Sequence, residues 1–152
     1  IFQSDPFRVL NIPSLDRPRQ LLYVFEHNVP MNQWHLEKMD EESCGLLSNY
    51  QSYLEGTYII NGGSIIASPD VYQHLGGYIL DRWKGCNDQV ALNILVRANM
   101  MGKAKVKISR QGVGVMNVLG WGGKVIVDSK GQYLNRNCLV SPVVHQYDIA
   151  GS

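Results

Sequence analysis

The sequence predicts an α/β domain: a mixed, mostly parallel sheet with helices on its faces. Apolar, β-branched runs alternate with capped segments of helical period through the middle of the chain, and strand-like runs predominate toward its end. The 152 residues, 45% hydrophobic and 18% charged, suit one domain able to bury a core, so residues 1–152 are read as a single unit. With 14 Lys and Arg against 13 Asp and Glu the net charge is +1, which argues against nucleic acid or an anionic lipid surface as partner. No apolar run approaches the ~20 residues that a bilayer span needs. Cys44, Cys86 and Cys138 are far apart and form no Cys-x-x-Cys pair, so neither a zinc knuckle nor a disulfide framework is indicated. The compartment stays open between a secretory (Golgi) lumen and the cytoplasm.

Ile1-Phe2-Gln3 reads as the tail of a strand already under way, which suggests a fragment. After the Asp5-Pro6-Phe7 turn, prolines at positions 6, 13 and 18 mark an irregular connection. Leu21 to Phe25 is a buried strand. From Met31 to about Cys44, loosely spaced Trp34, Leu36 and Met39 suggest a short or partly formed helix. Residues 57–61 and 64–67 are strands on either side of a polar notch, Asn61-Gly62-Gly63-Ser64. That notch is either a hairpin turn or a backbone left bare for a ligand.

Ser68, Pro69 and Asp70 supply a cap hydroxyl, a proline at the first helical position and an acid in the first turn, so a helix should run to about Lys84 and end at Gly85. Asp88 can cap a second helix that turns Leu92, Leu95 and Val96 to the core, with Gly102 beyond its end. Strand-like runs follow at 104–108, 113–119, 124–127 and 143–147.

In sheets of this kind ligands gather where strands end, so polar residues at those junctions are the candidates. They are Ile1 to Phe7, Asn61-Gly62-Gly63, Asp88-Gln89 with Asn93, and His145-Gln146-Tyr147-Asp148. Two glycines remove side chains where a sugar could approach the backbone, and the Asn61 amide offers a donor and an acceptor to hydroxyls. Capping alone would explain Asp88, yet a carboxylate held at a helix start can also face a developing oxocarbenium charge. His145 is either a packed strand-end histidine or an imidazole ligand suited to Mn²⁺. Trp121 within Gly120-Trp121-Gly122-Gly123 reads as a gap filler rather than a sugar platform. Gly112-x-Gly114 lacks the third glycine of a dinucleotide fingerprint.

Taken in order, these junctions resemble the second half of a GT-A nucleotide-sugar glycosyltransferase, and the resemblance covers nearly the whole chain. It implies an acidic Asp-x-Asp-like motif just before Ile1, running into Phe2-Gln3-x-Asp5-Pro6-Phe7. It implies that Asn61, Gly62 and Gly63 border the donor sugar, and that Asp88 and Gln89 lie by donor and acceptor. His145 would join the acidic motif on Mn²⁺ (or Mg²⁺). The activity implied is transfer of a sugar from a nucleoside diphosphate sugar to a glycan, protein or small-molecule acceptor. Two alternatives stand beside it: a non-catalytic carbohydrate-binding or structural domain, and a glycoside hydrolase pairing Asp88 with Asp81 or Asp128.

Overall fold

A computed structural model describes residues 3–4, 8, 20–32, 36–37, 39–40, 45, 47–110, 112–113, 115–118 and 126–145. It belongs to the α/β class and is built on a mixed sheet of three strands in the order β2-β1-β3. Strand β1, Leu21–Pro30, is central, with β2 (Tyr58–Ala67) antiparallel on one side and β3 (Lys105–Arg110) parallel on the other. Two short strands, β4 (Met116–Val118) and β5 (Val143–His145), form a separate parallel pair. Within the three-stranded sheet one pairing is parallel and one antiparallel, so that sheet is mixed but not mostly parallel, and the β4–β5 pair is parallel.

The period-2 alternation of β1 decides what each face meets. Leu22 and Val24 face a large core closed by the helices, whereas Phe25 joins a small cluster with Val115 and Met116, flanked by Tyr23, Ile66 and Val143. Helices were expected on both faces. Among the described residues they cover one, and the β4–β5 pair lies against the other. β1 also runs past Phe25 to Pro30. The polar Glu26 and His27 look like the end of a strand, but both are buried and find partners inside the fold.

Helix α1, Leu47–Leu54, has no counterpart in the sequence reading, because its apolar face is short: Leu47 and Leu54 are buried at its ends and Tyr50 is partly buried between them. The expected helix between residues 31 and 44 shows Leu36–Glu37 and Met39–Asp40 in helical conformation; Trp34 and Cys44 lie outside the described residues. Helix α2, Pro69–Gly77, continues through a π-helical turn, Tyr78–Arg82, whose ladder closes with Trp83 N–H donating to the Tyr78 carbonyl at 3.1 Å. Helix α3, Asp88–Arg97, is buried without interruption from Val90 to Val96, including the three residues expected to face the core. Its cap is Asn87, not Asp88: the Asn87 side-chain oxygen accepts from the Gln89 and Val90 amides at 2.9 and 3.2 Å. An aspartate one residue late reads like a cap because Asn and Asp do that job equally well.

Run 104–108 matches β3, 113–119 contains β4 and 143–147 begins with β5, while positions 114, 119, 146 and 147 lie outside the described residues. Of 124–127, the described part holds only an isolated bridge from Val127 to Tyr133. Cys86 is disulfide-bonded while Cys138 is free and exposed, so a bridge is present where the cysteine spacing indicated no disulfide framework. Wide cysteine spacing hides a bridge that only the fold brings together.

Candidate functional site

The notch is not a hairpin turn. Tyr58 to Ala67 is one strand, and neither Gly62 nor Gly63 has the left-handed backbone that such a turn requires. Instead β2 bulges against β1. Val24 pairs with Ile65 and Glu26 with Ile60, so Phe25 alone stands opposite Asn61, Gly62, Gly63 and Ser64.

Helix α3 holds the bulge from one side. Fully buried Asn93 accepts from the Ile60 N–H at 2.8 Å and donates to the Ile60 carbonyl at 3.0 Å and to the Gln89 carbonyl at 2.8 Å. One amide thus satisfies the backbone groups that the irregular ladder leaves open. Gln89 then reaches the notch itself, its side-chain oxygen accepting from Gly62 N–H at 3.3 Å.

The glycines answer to close approach. A Cβ on Gly62 would stand 3.2 Å from Gln89 Cα and 3.1 Å from its Cβ. On Gly63 it would stand 2.9 Å from His145 Cε1, 3.1 Å from His145 Nε2 and 3.3 Å from the Asn61 side-chain oxygen. Residues drawn from β2, α3 and β5 therefore meet in one place, although they are far apart in sequence. Gly63 is exposed and Gln89 and His145 are half-buried, so the meeting point is open to solvent. Asp88 precedes Gln89 in the first turn of α3 and is exposed.

His27 is a member that the sequence reading missed. The alternation that sends Tyr23 and Phe25 toward β4 and β5 carries His27 to the same face, where its Nε2 lies 3.3 Å from Asn61 Nδ2. Burial, and secondarily the neighbouring His145, hold its pKa down to about 4, so the ring is neutral at pH 7. Counting the alternation past Phe25 would have found it.

Glu26, on the opposite face, has a structural task. Its carboxylate pairs with Arg97 at 2.9 Å and Arg110 at 3.5 Å, and Arg97 also donates to the Tyr58 carbonyl at 2.7 Å. The Asp128 carboxylate accepts from the Lys130 and Gln132 amides at 2.8 and 2.9 Å, closing a turn, so it is occupied in a way a hydrolytic partner of Asp88 would not be. Gly112 sits in a turn at φ +73°, beside Arg136, and Gly114 lies outside the described residues. Asp70, His74 and Lys103 line a shallow cleft, and none of the residues at the notch borders it.

Among the described residues no group of three or more His, Cys, Asp or Glu could hold a metal ion. His145 Nε2 and the Asn61 oxygen flank one position and would supply an imidazole and an amide oxygen, a fraction of the shell that Mn²⁺ or Mg²⁺ takes. No helix among the described residues is long and apolar enough to cross a membrane. The motif Phe2-Gln3 to Phe7 falls largely outside the described residues, as do Trp121 and Gln146 to Asp148. Gln3 is anchored: its side-chain nitrogen donates to the Ser141 and Tyr133 carbonyls at 2.7 and 2.9 Å, and its oxygen accepts from Tyr133 N–H at 2.8 Å. No family model matches the chain, and no curated protein or solved structure is significantly similar to it.

Proposed function

We propose that the chain is the C-terminal part of a GT-A-like catalytic domain that transfers a sugar from a nucleoside diphosphate sugar to an acceptor. One observation carries the reading. Asn61 to Gly63, Gln89 and His145 were singled out from separate stretches by the order of their motifs, and the fold packs them against each other at a solvent-facing edge. A chance set of strand-end residues has no reason to converge.

In this reading the Asn61 amide and the edge at Gly63 receive sugar hydroxyls. Gln89 braces the notch, and Asp88, exposed beside it, is placed to orient hydroxyls or to face positive charge developing on the sugar. His145 is the ligand this chain contributes to a divalent cation, whose remaining ligands the resemblance assigns to an acidic motif preceding Ile1. A cation held there, Mn²⁺ (or Mg²⁺), would supply positive charge against the departing diphosphate. The disulfide at Cys86 favours an oxidising compartment such as a secretory lumen.

Product analysis on the full-length protein tests the reading. With a panel of nucleoside diphosphate sugars and Mn²⁺, one donor should be consumed with transfer of its sugar, or with slow release into water when no acceptor is present. His145→Ala should lose activity at low Mn²⁺ and regain part of it as Mn²⁺ is raised. Failure to consume or bind any donor in the panel would end the proposal.

A further inference from the structure

Asn61 is 3% exposed, and its side-chain oxygen has no hydrogen-bond partner among the described residues. Leaving a buried carbonyl unsatisfied is unfavourable, so the arrangement calls for a reason. The amide cannot turn freely, because its Nδ2 lies 3.3 Å from Nε2 of His27, which is itself 3% exposed. The tautomer of His27 decides which end of the amide faces the site. With the imidazole proton on Nδ1, Nε2 accepts from Nδ2, and the Asn61 oxygen is left toward the position where a Gly63 Cβ would stand, 3.3 Å away, with His145 Nε2 3.1 Å from the same position. With the proton on Nε2, the amide would turn over to accept it and would show its NH₂ to the site instead.

We propose that His27 is a positioning residue, holding the Asn61 amide so that its oxygen is presented beside His145 as the acceptor for a hydroxyl of the bound sugar. The proposal rests on the glycosyltransferase reading of the same site. It uses features a plain core histidine does not need: a partner with one orphaned atom, and a glycine whose missing side chain lets a second imidazole, His145, pack close beside that atom. A divalent cation is the other electron-poor group such an oxygen could hold, and the test separates the two.

The first measurement needs no ligand. Long-range ¹H–¹⁵N correlation spectra of the full-length protein at pH 7 should show His27 as the Nδ1–H tautomer; the Nε2–H tautomer overturns the proposal whatever the protein binds. The second is donor affinity by calorimetry, with thermal melting run on the same samples. His27→Leu, which removes the acceptor, should weaken donor binding roughly tenfold, and His27→Gln, whose side-chain oxygen can accept from Asn61 Nδ2, should restore it to within about threefold. Equal losses in both variants, or no loss in either, would overturn it. A wild-type protein that binds no nucleotide sugar would remove the glycosyltransferase reading, while the tautomer still decides whether His27 holds the amide. Titration with Mn²⁺ alone is the last arm: binding that His27→Leu weakens by the same factor would assign the oxygen to the metal and overturn the hydroxyl.

Discussion

Gly63 can become alanine only if His145 moves, because the new methyl would stand 2.9 Å from the ring. The residue is exposed and its backbone is not left-handed, so the cost should fall on the site rather than on folding. Gly63→Ala is therefore expected to weaken donor binding by roughly tenfold with a small change in melting temperature, both measured on one preparation. His27 makes a separate prediction about pH. Its pKa is about 4 folded against 6.5 unfolded, so the unfolded chain binds more protons between those values. Stability should be full above about pH 6.5 and fall as pH drops toward 4, by on the order of 3 kcal/mol in all. Urea unfolding across that range would show it, and His27→Gln should flatten the slope. At this scale the polar break of Asn61 to Gly63 within β2 and the place of Gln89 in the first turn of α3 were legible, because small and polar residues at the edges of apolar runs stand out. His27 was hidden: a histidine after a glutamate looks like the end of a strand, and only burial on both faces of β1 keeps the strand going.

At the scale of elements, α3 is the part that makes the notch. Asn93 holds both backbone groups of Ile60, and Asn93→Ala would leave that N–H and carbonyl buried without this partner. Destabilisation of roughly 2–4 kcal/mol is expected by denaturant titration, together with loss of donor binding as the bulge relaxes. The two residues opening α3 should separate by role. Asn87→Ala removes the cap and should cost about 1 kcal/mol, whereas Asp88→Asn should leave stability nearly unchanged and lower turnover by roughly 10²-fold if its carboxylate faces the reacting sugar. Near-normal turnover of Asp88→Asn would reduce Asp88 to a surface residue. Helices α2 and α3 could be read in advance because caps and apolar period agreed. Helix α1 could not, since it buries little beyond its two ends, and β2 was split in two because a wide bulge and a hairpin share the same glycines.

At the scale of the whole molecule, the α/β class followed from the alternation of runs, a property that depends on local period and survives without knowledge of contacts. The placement of all described helices on one face, the separate β4–β5 pair and the disulfide at Cys86 depend on contacts between distant residues, which no local pattern records. The same holds for the convergence of β2, α3 and β5, the feature on which the functional reading stands. Its most direct test is to titrate the ¹⁵N-labelled full-length protein with nucleoside diphosphate sugars in the presence of Mg²⁺, a diamagnetic ion, and to map the shifted resonances. The account predicts that one donor perturbs Asn61, Gly62, Gly63, Gln89 and His145 together, and that Gly63→Val abolishes the response while the protein stays folded. Shifts confined to the cleft of Asp70, His74 and Lys103, or a response that Gly63→Val leaves intact, would contradict it.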